Sequence, residues 1–189
     1  MRLRYVLHGV MDPDYYGFLG IDRKLAIDPA ELQKRFYALS RQLHPDRFAQ
    51  KPAAERLQAE ESTALLNDAF RVLKDPLSRA EYILKLEGLD IGEQRTKDVP
   101  PELLEEVFEL NMALEELRSG DEEARGQLED ARRKFLEMRE QIDSELMGLF
   151  ERYDAASDPG VLTEIRGVLN RRRYIRNLVN EVEKELAPQ

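Results

Sequence analysis

The tripeptide His44-Pro45-Asp46 interrupts an amphipathic helix, and this interruption confines the first half of the chain to a helical hairpin. Proline disfavours helix in the residue before it, so a helix reaching this point ends near Leu43 or His44. Its start is marked by Asp28-Pro29-Ala30-Glu31: an N-cap, a proline at the first helical position and a glutamate able to fold back on the cap. In between, Leu32, Phe36, Leu39 and Leu43 recur at intervals of four, three and four, which places them on one face as a core stripe. Lys34 and Arg41 share another face, with Arg35 to one side and Arg47 just past the turn, and that face is basic. Beyond a polar stretch at residues 49–52, a second helix draws its apolar side from Leu57, Leu66, Ala69, Phe70 and Leu73. A short connection makes the two helices antiparallel neighbours, with the tripeptide at the tip. Asp75-Pro76 closes the second helix, and residues 78–82 start another short one.

The chain then changes texture. A polar segment from Asp90 to Pro101 ends in Pro100-Pro101, which cannot continue a helix from before. Three long periodic segments follow, separated by Ser119-Gly120-Asp121 and by Ser157-Asp158-Pro159-Gly160, both rich in cap and turn residues. Their apolar stripes are Leu103, Val107, Leu110, Leu114 and Leu117, then Leu128, Ala131, Phe135, Met138, Ile142 and Leu149, and last Val161, Ile165, Val168, Ile175, Val179, Val182 and Leu186. Long amphipathic helices with short connections give an antiparallel three-helix bundle, and the glycine-containing breaks argue against one continuous coiled coil. The fold class read from this pattern is all-α. The first bundle helix also carries a second stripe, Leu104, Phe108 and Met112, centred well over 90° from the first and edged by Glu105, Glu109 and Glu116. An apolar strip rimmed by carboxylates suits a protein-docking helix. A helix clasped on two sides, by its bundle mates and by the N-terminal helical domain, with nothing exposed, accounts for the same pattern equally well.

Composition narrows the function classes. At 189 residues the chain holds one larger domain or two small ones. It has no cysteine and only two histidines, so no disulfide, thiolate metal site or resident cofactor is expected. A net charge of -9 argues against general affinity for nucleic acid. Arg171-Arg172-Arg173 is the local exception, read as a helix face with partial salt bridges because acids surround it. No apolar run approaches the ~18 residues of a membrane span, and the apolar part of the opening segment is too short for a secretory signal, so a cytoplasmic location is expected.

Residues 14 to about 85 resemble a J-domain, the module by which DnaJ-type proteins stimulate heat-shock-70-class ATPase chaperones. The resemblance rests on residues 14–21 (DYYGFLGI), the basic helix, the His44-Pro45-Asp46 loop, residues 66–73 (LNDAFRVL), Asp75-Pro76 and Arg79. A J-domain followed directly by a three-helix bundle resembles the HscB family, bacterial form, co-chaperones of iron-sulfur cluster assembly; its most telling stretch is residues 103–111 (LLEEVFELN). The resemblance implies an N-terminal extension at 1–13, a J-domain at 14–88, a linker at 89–101 and a scaffold-binding bundle at 102–187. It implies that His44, Pro45, Asp46, Lys34, Arg35, Arg41 and Arg47 engage a chaperone of HscA or DnaK type. It further implies that Leu104, Phe108, Glu109, Glu116 and Tyr174 contact an iron-sulfur scaffold of IscU type, together with Glu105 and Met112. At those last two positions the chain departs from the family, which commonly has methionine at the first and an acid at the second. The expected protein is a monomer that catalyses no bond chemistry.

Two other readings stand beside this one. A J-protein with a different client is supported by the departures at Glu105 and Met112. An enzyme using His44 and Asp46 as an acid-base pair has an imidazole suited to proton exchange near neutral pH. The rigid proline between them makes no pocket, however, and no nucleophile, metal cluster or glycine-rich phosphate loop accompanies the pair.

Overall fold

The computed structural model describes residues 14–89 and 100–187, so the expected extension at 1–13 and most of the expected linker lie outside the described residues. The chain divides into two compact units, Met1–Leu86 and Glu87–Gln189. Every regular element among the described residues is helical.

The first unit comprises α1 (Tyr15–Leu19), α2 (Pro29–Leu43), α3 (Ala53–Lys74) and α4 (Pro76–Leu86). α2 begins where its cap dictates, with the Asp28 carboxylate accepting from the Ala30 N–H at 2.9 Å. Glu31 turns to Arg35 at 2.7 Å and Lys34 at 3.8 Å, because a side chain on the first turn reaches the next turn as easily as the cap. The hairpin register is read from two contacts. The Phe36 and Phe70 rings stack at 4.2 Å, and seven residues further along α2, seven back along α3, the Leu43 carbonyl meets Thr63. The two helices are therefore antiparallel. Tyr16, Leu19, Leu25, Leu32, Leu66 and Leu73 are buried in this unit. Leu57, expected on the apolar side of α3, is 57% exposed, since it falls near the N-terminal end of a helix of 22 residues that outlasts the 15 of its partner. The short helix expected from Ser78 begins at Pro76, because the Asp75 carboxylate accepts from the Ser78 N–H at 3.3 Å and starts α4 directly as α3 ends.

The second unit comprises α5 (Leu104–Arg118), entered through a 3-10 turn at Pro101–Leu103, α6 (Ala124–Ala156) and α7 (Pro159–Leu186). α6 and α7 form a long antiparallel pair, fastened at successive levels by Arg152 to Glu164 at 2.9 Å, Arg172 to Asp143 at 2.5 Å and Arg132 to Glu183 at 2.8 Å. α5 runs parallel to α7, since Glu102 reaches Arg171 at 3.5 Å while Arg118 reaches Glu185 at 2.5 Å. With 15 residues against 33 in α6, α5 is ~22 Å long beside ~50 Å, so three helices lie side by side over only part of the unit. Leu110, Leu114, Leu128, Phe135, Ile175, Val179 and Val182 are among its buried side chains. Gly120, at φ +95°, makes the left-handed turn that lets α6 reverse direction within five residues. The arginine run behaves as its acidic surroundings predict: Arg171 pairs with Glu145 as well as Glu102, and Arg172 with Asp143.

Candidate functional site

Each unit presents one surface that the sequence singled out. In the first, α2 stops at Leu43 and residues Pro45–Phe48 form a 3-10 turn with His44 as its cap. The His44 Nδ1 accepts from the Asp46 N–H at 3.3 Å, which leaves the proton of the neutral ring on Nε2. The Asp46 carboxylate lies 3.5 Å from the same Nδ1. Both side chains are exposed, and proline fixes the backbone between them. An imidazole, a rigid kink and a carboxylate thus project from the tip of the hairpin.

Four cations accompany this loop. Lys34 stands in solvent and Arg35 is held by Glu31. The Arg41 Nε donates to the Tyr37 carbonyl at 3.3 Å, and the Arg47 guanidinium donates to the Arg41 carbonyl at 3.3 Å, tying the turn to the last turn of α2. The sequence reading missed two neighbours. Tyr37, exposed between Lys34 and Arg41, adds an aromatic side chain to the basic face. The Thr63 hydroxyl lies 3.1 Å from the Leu43 carbonyl and 2.8 Å from the Ala59 carbonyl, so α3 holds the end of α2 just where the loop departs. A polar residue standing in the inward stripe Ala59, Leu66, Phe70 and Leu73 was the signal.

In the second unit, α5 buries Leu110, Ala113 and Leu114 and turns its second stripe outward: Leu104 is 56% exposed, Phe108 65% and Met112 48%. Within the second unit, this stripe is left uncovered. Glu105 and Glu109 are exposed and Glu116 is half-buried beside the strip. Between α5 and α6 lies a groove of about 400 Å³, with Met112 on one wall, Lys134 on the other and Phe135 beneath. Tyr174 does not join this surface. It is 7% exposed, and burial, with the nearby Glu181 carboxylate adding to it, pushes its phenol above the ordinary range. Its place on the strongly apolar face of α7, next to Ile175, accounts for the burial.

Neither surface has the form of a reaction centre: the loop is a convex tip, and the strip is apolar. Among the described residues no group of three or more His, Cys, Asp or Glu could hold a metal ion. No described helix is long and apolar enough to cross a membrane.

Two family models match the chain, the DnaJ domain over residues 14–82 and the HSCB C-terminal oligomerisation domain over residues 99–183. The co-chaperone protein HscB homolog of Azoarcus sp. (strain BH72) is 31% identical over 177 residues, covering 93% of this chain and 95% of that protein. The iron-sulfur cluster co-chaperone protein HscB of Homo sapiens is 31% identical over 176 residues, covering 93% of this chain and 69% of the human protein. Among solved structures, the chaperone HscB from Vibrio cholerae superposes with a TM-score of 0.61 at 29% identity, covering 91% of this chain and 96% of that one. Human co-chaperone protein HscB gives 0.67 at 28% identity, covering 94% and 84%. With a J-domain at its head, a matching C-terminal helical domain and likeness along nearly its whole length, this chain belongs to the HscB family of co-chaperones.

Proposed function

We propose that this co-chaperone binds an iron-sulfur scaffold protein of IscU type through the exposed strip of α5 and presents it to a heat-shock-70-class chaperone of HscA or DnaK type, whose ATPase the J-domain stimulates. The observation that carries the reading is the strip itself. Leu104, Phe108 and Met112 stand about half or more in water on a helix that already has a buried face, and a contiguous apolar track with a carboxylate rim is the anatomy of a docking site. In the other unit, His44, Pro45 and Asp46 supply the contact with the ATP-bound chaperone. Lys34, Arg35, Arg41 and Arg47 steer an acidic chaperone surface toward it, an effect that acts chiefly on association rate. Holding both partners on one chain raises the effective concentration of client at chaperone. Hydrolysis then traps the scaffold on the chaperone and helps pass its cluster onward.

Steady-state ATP hydrolysis by the chaperone, with and without scaffold, tests both halves. Wild type and scaffold together stimulate synergistically, and His44→Gln abolishes the stimulation while scaffold binding and thermal stability persist, because the loop tip buries little. Stimulation indifferent to scaffold would transfer the strip to a different client, the reading favoured by the burial of Tyr174. The working form is proposed to be a monomer, and because the matched C-terminal family is described as an oligomerisation domain, solution mass is measured in the same preparation.

A further inference from the structure

The exposed strip does not run straight along α5. Each step of four residues advances ~40° around an α-helix, so Leu104, Phe108 and Met112 wind ~80° around it. The winding brings Met112 to the lip of the groove that α5 shares with α6. There it is flanked on its own helix by Glu109, three residues before, and Glu116, four residues after. Neither carboxylate meets a cation among the described residues. The cation within the groove, Lys134, is engaged by Glu106 at 3.3 Å. The opposite wall adds Gln127 and Asp130, the latter tied only to Arg133 on its own helix at 2.5 Å. The groove therefore offers an apolar bed flanked on α5 by two carboxylates, Glu109 and Glu116, that meet no cation among the described residues, and on α6 by Asp130, which is paired within its own helix.

We propose that this groove is a second subsite of the scaffold-docking surface, built by both α5 and α6, and that it takes a cationic side chain of the scaffold. An arginine or lysine lays its methylenes on Met112 and its charge between Glu109 and Glu116, while Asp130 closes the far wall. Long cationic side chains bind in this way, with the stem on apolar surface and the head among acceptors. Opposite charge across the gap makes the match selective. The inference rests on the scaffold reading above and extends it onto α6.

The test is scaffold binding by the full chain at low and high ionic strength, comparing wild type with Asp130→Lys, Phe108→Ala and the control Glu140→Lys, a charge reversal at an exposed α6 position outside the groove. Asp130→Lys is expected to weaken binding about tenfold at low salt, with the loss shrinking as salt rises, while Glu140→Lys stays within about twofold of wild type. Asp130 is exposed and paired only within its own helix, so the variant keeps its melting temperature. If Asp130→Lys binds as wild type does while Phe108→Ala weakens, docking is confined to α5 and the subsite is overturned. If Phe108→Ala dissolves a dimer of this chain and leaves scaffold binding unchanged, the face belongs to a second copy, which also overturns it. Wild type failing to bind the scaffold at all removes the parent reading and this one together.

Discussion

Replacing Phe108 by alanine separates a docking residue from a core residue, and its effect on each can be worked from exposure. An aromatic side chain carries ~200 Å² of accessible area. At 65% exposure, ~130 Å² of that stands in water. At ~25 cal/mol per Å², complete coverage by a partner is worth ~3 kcal/mol. Ordering and desolvation at the interface reduce this to ~2 kcal/mol, or about thirtyfold in Kd. The ~70 Å² already covered contributes ~1.8 kcal/mol to folding, of which the better helix propensity of alanine returns ~0.5, leaving a stability loss of ~1.3 kcal/mol. Phe135, 1% exposed on α6, is the counterpart: its truncation leaves a cavity costing ~3–5 kcal/mol. Urea unfolding and scaffold titration by calorimetry on the two variants should give opposite rankings, Phe108→Ala mild in stability and severe in binding, Phe135→Ala severe in stability. A Phe108→Ala loss above ~3 kcal/mol in unfolding, or an unchanged Kd, refutes the reasoning.

Two more outcomes follow from the first unit. Thr63→Val keeps the shape but removes the donor that holds the Leu43 carbonyl, so unfolding stability should fall by ~1 kcal/mol. More tellingly, the chaperone concentration giving half-maximal stimulation should rise with scaffold affinity unchanged; a loss of stability without that rise would make Thr63 purely structural. Tyr82 is pushed above the ordinary tyrosine value of 10.0, chiefly by burial, against the opposing effect of the Tyr15 N–H that its hydroxyl accepts at 3.0 Å. Its stabilising contribution is complete below 10.0 and falls as pH rises from there through the raised folded value, because the unfolded chain releases the proton first. Tyr82→Phe should therefore be less stable at neutral pH by ~1 kcal/mol, through the unpaired Tyr15 N–H, yet lose less on going to alkaline pH. Equal alkaline losses in urea midpoints of variant and wild type would count against this.

Local rules of the chain were sufficient for most of the helix ends, the start of α4 at Pro76 excepted. The limits of α2 follow from Asp28, Pro29 and Pro45, those of α5 from the prolines before it and Gly120 after it, and the start of α7 from Asp158, whose carboxylate accepts from the Gly160 N–H at 2.8 Å. Caps, prolines and left-handed glycines act within a few residues, so their effect is legible in one dimension. The two apolar stripes of α5 are equally a property of spacing. Which of them is covered is not, because periodicity places residues on a face without saying what lies opposite. Only the packing within the second unit decided that Leu110 and Leu114 are buried and Phe108 exposed, and that Tyr174 belongs inside. The same holds for the loop. The residues His44, Pro45 and Asp46 stand out in the sequence, but the hydroxyl that secures their approach comes from Thr63, 20 residues beyond the Leu43 whose carbonyl it meets, and a hydrogen bond of that span exists only once α3 has folded back along α2. Sequence settles which faces a helix has; the tertiary structure settles which face meets water, because burial is a relation between segments and not a property of either one.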